Sequence, residues 1–376
     1  VTGKVGAFDI GALNIQTDDT PGLNAVPTNF TVFRIKRDVL RRSRIGGIFT
    51  GRSVRPSTVP EGEAGLNQVY GVDAAFAFYD NVNFLGYYAK TKTSGIYGRD
   101  QSYQGRFDYG GDQYGLSLEH LLVEDNFIPE VGFLRRDNFR RTWAFGRFSP
   151  RPQSIDSVRQ FVFDASVDYF VTADEGMLET RQTQFGFETE LENSDQVRIR
   201  ANDRYELLLE PFSPGRDMIV PVGGYDFTDV QVSYLFGPHR RYTGRVSLTT
   251  GGYFNGELTT LELNRGRVAL SPQLSVEPST SFNWVELPSG SFRIDLVRAR
   301  VSYTVSPRMF FSGLLQYNST SDSIGTNLRL RWEYSPGSEL FVVYTEEQDT
   351  NPLLPHRHTE LRNRGFAVKI NRLFRY

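Results

Sequence analysis

The sequence predicts an all-β protein, a transmembrane antiparallel up-and-down β-barrel of about 20 strands, with residues 1–376 forming a single domain. Three observations carry this reading. Apolar residues alternate with charged ones over runs of roughly 10–15 residues, longer than the ~5–6 usual in soluble strands. Aromatic residues gather at the ends of the apolar rows. Connections alternate between tight and long along most of the chain.

The strands are expected in this order. Residues 4–16, 29–39, 42–53, 67–79, 82–93, 100–109, 112–122 and 138–149 cover the first part of the chain. Residues 157–172 follow, where Phe161, Phe163, Ala165, Val167, Tyr169 and Val171 alternate with Gln160, Asp164, Ser166 and Asp168. After 176–191 comes 194–210, where Val197, Ile199, Ala201, Tyr205, Leu207 and Leu209 share one parity. In 224–237, Val230, Val232, Tyr234 and Phe236 alternate with Asp229, Gln231 and Ser233. Residues 240–252, 256–276, 280–287, 291–305 and 308–319 continue the series, and 256–276 is long enough for two strands. Parity changes between Arg293 and Arg300, which predicts a bulge. In 322–335, Leu328, Leu330, Trp332 and Tyr334 alternate with Asn327, Arg329, Arg331 and Glu333. Residues 338–347 and 363–375 complete the set.

The tight connections are Asp80-Asn81, Gly110-Gly111, Glu192-Asn193, Gly237-Pro238, Ser306-Pro307 and Ser335-Pro336-Gly337. The intervening set holds the longest ones, 17–28, 54–66, 123–137, 211–223 and 348–362. The stretch 150–156 belongs to the tight set but is of middling length. Outer-membrane barrels have short periplasmic turns and longer external loops. The pattern therefore places both termini on the periplasmic side and predicts an even strand number.

Composition closes off other classes. The longest apolar runs, Ala74 to Tyr79 and Leu340 to Tyr344, fall far short of the ~20 residues of a membrane helix. There is no cysteine, so no disulfide or thiolate metal site. A formal charge of -2 gives no footprint for nucleic acid. Of the 42 basic residues 37 are Arg, rigid donors suited to carboxylate or phosphate. No signal peptide heads the chain at Val1, so a mature chain or a fragment of a longer one is expected. Phe366, Val368, Ile370, Phe374 and Tyr376 share one parity, interrupted by Arg372, and resemble the C-terminal signal read by the outer-membrane assembly machinery.

Several segments resemble one family. They are Thr2-Gly3-Lys4-Val5-Gly6 with Ile10-Gly11-Ala12-Leu13, Phe33-Arg34-Ile35-Lys36-Arg37-Asp38, and Phe127-Ile128-Pro129-Glu130-Val131-Gly132-Phe133-Leu134-Arg135-Arg136. Later come Gln316-Tyr317-Asn318, Asn327-Leu328-Arg329-Leu330-Arg331-Trp332 and Pro336-Gly337-Ser338-Glu339-Leu340-Phe341-Val342-Val343-Tyr344. They resemble the C-terminal barrel region of an uncharacterised outer-membrane family of Bacteroidota and neighbouring lineages. In that family a β-sandwich similar to family 9 carbohydrate-binding modules usually precedes the barrel. The resemblance implies the barrel fold and supplies no catalytic or binding residues.

The chemistry-bearing residues point away from catalysis. His356 and His358 form an H-x-H in a long loop, but no third ligand is evident. His120 falls on the apolar parity of its strand, with no serine partner and no G-x-S-x-G. Glu346-Glu347 and Asp18-Asp19 read as solvated turns, with weak Ca²⁺ binding or lipopolysaccharide bridging as the alternative. No enzyme activity and no cofactor are expected. The distinctive set is the charged parity, which would line a lumen. It comprises Arg198, Arg200, Arg204, Glu206, Asp164, Asp168, Asp229, Arg245, Arg298, Arg300, Arg329, Arg331 and Glu333, together with Arg34, Lys36 and Asp73. Such a lining serves as a ladder of cross-strand ion pairs or as an Arg-lined path for anionic or sugar solutes. Loops 123–137 and 211–223 are the expected constrictions, with Phe127, Ile128, Pro129 and Phe133 too apolar for a fully solvated loop.

The expected function is a porin-like or transporter-like passage in the bacterial outer membrane. The alternative is a non-conducting anchor for a glycan-binding or surface complex. Expected partners are outer-membrane lipids and lipopolysaccharide, the assembly machinery acting on the last strand, and a periplasmic or surface protein.

Overall fold

The structure is a computed structural model that describes residues 1–18, 26–54, 65–215, 218–351 and 359–374. Asp19, His356, His358 and Tyr376 lie outside the described residues, as do parts of the long connections 17–28, 54–66, 211–223 and 348–362. Among the described residues there are 23 strands and no helix.

The chain folds as two compact units. The first is Val1–Ser149 with Asp164–Gln184 and Arg204–Leu207. It holds β1 (Thr2–Val5), β2 (Phe8–Thr17), β3 (Thr28–Val39), β4 (Ser43–Val54), β5 (Leu66–Phe78), β6 (Val82–Thr93), β7 (Gln101–Gly110), β8 (Tyr114–Val123) and β9 (Phe139–Phe148). It also holds parts of β10 (Val158–Thr172), β11 (Leu178–Leu191) and β12 (Gln196–Leu208). The second unit is Pro150–Phe163 with Phe185–Asp203 and Leu208–Tyr376. Besides the rest of those three strands it holds β13 (Phe212–Gly215), β14 (Met218–Val220), β15 (Gly223–Phe236), β16 (Tyr242–Tyr253), β17 (Gly256–Ala269) and β18 (Leu274–Leu287). It ends with β19 (Gly290–Ser306), β20 (Met309–Asn318), β21 (Ser323–Ser335), β22 (Ser338–Asp349) and β23 (Glu360–Asn371). The sheet has 21 strands, and β13 with β14 forms a separate hairpin.

Consecutive strands pair antiparallel, as in Thr28↔Val54 through Val39↔Ser43 between β3 and β4. Partners across a ladder point to the same face, so each register extends one alternation to the next strand. In the first unit, Arg34, Asp73, Arg106, Glu119 and Arg141 fall on one face by this rule. The other face carries exposed Phe33, Tyr70, Val72, Phe84, Leu116 and Leu118. In the second unit, Ser233, Ser247 and Glu262 share a polar face, and Val230, Val232 and Leu248 lie opposite, exposed. Each unit thus has a polar, partly covered face and an uncovered apolar one.

The tight turns fall where the sequence places them, but several strand boundaries move. The strand expected over 4–16 is a hairpin. Gly6 adopts φ +61°, a conformation open to glycine, and folds β1 back on β2. Among the described residues the sheet therefore has 21 strands, an odd number. Val1 bonds through its carbonyl to Ala12 N–H, well away from the Gly6-Ala7 turn. The expectation of an even number with Val1 on the tight-turn side is corrected. The stretch 256–276 breaks at 270–273. No bulge separates Arg293 from Arg300, since the β18–β19 register is continuous. Arg293 and Asp295 sit on the otherwise apolar parity as a mutual ion pair at 2.6 Å. The Arg293 guanidinium lies over Phe282 and Trp284. That pair mimics a change of parity.

Candidate functional site: the polar faces and their covering loops

The polar face of the first unit is a ladder of charges. Arg34 Nη1 reaches Asp73 Oδ2 at 2.5 Å, crossing β4. It crosses there because Gly46 has no side chain; a Cβ at Gly46 would lie 2.9 Å from Arg34 Nη2. Beyond it, Arg106 pairs with Asp108 at 2.7 Å and with Glu119 at 3.4 Å. Arg141 then joins Glu119 at 2.9 Å to Asp168 at 2.7 Å. Arg106 also lies over the Trp143 ring, and Arg141 over Phe170. Glu119 is 6% exposed, so its two arginines hold a charge that would be costly alone.

Connection 124–138 folds over the upper part of this face. Phe127 is buried with Val69, Ala89, Val123 and Phe139. Asn67 Nδ2 donates to the Ile128 carbonyl at 2.7 Å, and Asn67 Oδ1 accepts from Glu130 N–H. The Thr91 hydroxyl donates to the Asn126 carbonyl at 3.0 Å. Arg52 bonds Glu130 at 2.8 Å. Asn67 and Thr91 are essentially fully buried beneath the loop. Ile128 and Pro129 are half-buried, whereas Phe133 is 87% exposed and takes no part. Arg99 braces the loop from outside, bonding Asp125 at 2.7 Å and Asp174 at 3.5 Å. Asp174 sits in a turn where the Glu175 N–H, the Thr172 hydroxyl and the Asn138 amide donate to it. These bonds hold its carboxyl down at about 2.

In the second unit, connection 209–222 carries the β13–β14 hairpin. Val220 and Met218 pack against Phe254, Val285, Leu287 and Phe292. Val285 and Phe292 are register partners on the polar parity of β18 and β19. Both expected constriction loops thus cover polar faces, each through an apolar contact. At the tight-turn end, buried Asp195 accepts from the Tyr234 hydroxyl, Gly237 N–H, Arg240 and Asn193. Those donors, led by the Tyr234 hydroxyl, hold the Asp195 carboxyl below the usual range.

The expected lining residues separate into groups. Asp168 joins the Glu119 ladder, and Asp164 accepts from Gln184 at 3.4 Å. Arg198 bonds Glu188 at 3.3 Å, and Asp229 accepts from Asn202 at 2.7 Å. Arg200, Arg204 and Glu206 lie on β12, and Arg245 on β16 faces Leu235 and Asn264. Arg331 pairs with Glu339, and Glu333 accepts from Gly337 N–H. Arg298, Arg300 and Arg329 have no ion-pair partner among the described residues. The sequence reading missed Glu119, Arg106 and Arg141. Glu119 was legible as a lone charge between Leu118 and His120. Arg141 was not, because β9 also carries Trp143 and Phe145 on its polar parity. His120 faces the apolar side, with Nδ1 at 2.9 Å from the Thr142 hydroxyl.

The chain matches no protein-family model, and no curated protein matches it.

Proposed function

We propose that the chain is the wall of an outer-membrane β-barrel, with its polar faces turned to a lumen and its apolar faces to lipid. The observation that carries this is the uncovered apolar face of each unit, set against a polar face that is covered by loops. Water, lipid and protein are the only available surroundings. An arginine ladder facing lipid costs several kcal/mol per charge, at about 2–4 near the midplane. The likeness of the late segments to an outer-membrane barrel family supports the same placement.

Closure of this wall into a ring is part of the proposal.

The lumen serves as a passage narrowed by connections 124–138 and 209–222. The loops' apolar contacts also favour a second reading, in which they seal the lumen and the barrel is an anchor for a surface complex. Planar-bilayer conductance of the purified protein separates the two. Discrete steps that widen on shortening 124–138 support the passage. Silence before and after shortening supports the anchor.

A further inference from the structure

Arginines on the polar faces differ in their partners. Arg34, Arg52, Arg106, Arg141 and Arg198 each meet a carboxylate. On β19 and β21, Arg298, Arg300 and Arg329 meet none among the described residues. The registers bring these positions close. Arg300 faces Leu314 on β20, and the neighbouring Ser312 faces Arg329 on β21. The Arg329 Nε donates to Asn327 at 2.8 Å, which fixes the guanidinium and leaves its outer edge unengaged among the described residues.

A cavity of about 500 Å³ opens beside Arg329, lined by Phe310, Ser312, Leu330, Arg331, Phe341 and Val343. Phe310 and Phe341 flank Arg331 as its register partners on β20 and β22. Arg331 itself is committed to Glu339, and its guanidinium lies over Phe341. Lys369 faces Phe341 from β23, and Glu277 faces Arg300 from β18 without an ion pair. Five cations, Arg298, Arg300, Arg329, Arg331 and Lys369, thus share this face with four carboxylates, Glu277, Glu333, Glu339 and Glu347.

We propose that this cavity is a subsite for an organic acid, a carboxylate joined to an aromatic ring. The Arg329 fork matches a carboxylate in plane, where a neutral donor would not. The two phenylalanines supply apolar walls for the ring, and Ser312 supplies a hydroxyl on the floor. The volume falls within the range of small-molecule sites, with the expected mix of apolar walls and a few polar groups. The subsite rests on the reading of this face as a lumen, since only there would a water-borne solute reach it.

The test is calorimetry on the purified chain in detergent, with benzoate, benzamide and inorganic phosphate as probes. Benzoate should bind saturably, at least tenfold tighter than benzamide or phosphate. Arg329→Gln should weaken benzoate at least tenfold while leaving benzamide unchanged. Ser312→Leu, which fills the floor without touching a charge, should weaken benzoate also, and it keeps the test readable if Arg329→Gln fails to fold. Equal binding of benzoate and benzamide, or no effect of either variant, overturns the subsite. Phosphate binding as tightly as benzoate overturns the organic-acid class. Binding in detergent needs no conductance, so a silent bilayer trace with intact benzoate binding would sink the passage alone.

Discussion

Single residues decide where the polar faces hold together. Asp195 is 1% exposed and gathers donors from two turns, so it acts as a rivet at the tight-turn end of the second unit. Asp195→Ala leaves Arg240, the Tyr234 hydroxyl and the Gly237 N–H without their acceptor. Removing one partner of a buried pair costs about 3–5 kcal/mol. The variant should lower the urea midpoint accordingly, whereas Arg240→Gln should cost less because Tyr234 and Gly237 keep their bonds. Equal midpoints for wild type and Asp195→Ala would show the rivet to be idle. This residue was not legible in the sequence, where Glu192-Asn193 reads only as a turn. Its partners lie some 40 positions on, and nothing local announces them.

At the scale of elements, strand order and turns were legible because the period of two is strong on most long strands, β19 with its Arg293–Asp295 pair being an exception. The β1–β2 hairpin was not, because β1 is only four residues long and Gly6 alone marks the turn. The covering loops were half legible. Phe127 marked an apolar loop, but its latch to Asn67 and Thr91 depends on buried polar groups of distant strands. Phe127→Ala should therefore loosen residues 124–138 while the strands keep their protection. Hydrogen exchange that rises at Asn126 and Ile128 but not along β5 is the expected pattern, and uniform exchange would contradict it. The Asp174 turn adds a pH signature. Its carboxyl is held at about 2, below the usual range, so its contribution is present above roughly pH 4. That contribution is lost as the pH falls through 2. Exchange at the Glu175 amide should rise between pH 4 and pH 2 after correction for intrinsic rates. Asp174→Asn, which titrates nowhere in that window, should show no such step.

At the scale of the whole molecule, the central claim is that two faces of one sheet meet two different solvents. The sequence made that claim legible through alternation, while ion-pair partners, which depend on neighbouring strands, stayed hidden. Arg329 and Arg141 look alike in sequence, yet among the described residues one meets no carboxylate and the other meets two. The most direct measurement is a cysteine scan along β15 from Asp229 to Phe236 in native membranes, read with a water-soluble maleimide. The chain has no cysteine of its own, so every signal is the introduced one. Labelling at 229, 231 and 233 with protection at 230 and 232 is the predicted result. Labelling of both parities alike, or of 230 and 232 alone, would contradict a polar lumen inside a lipid-facing wall.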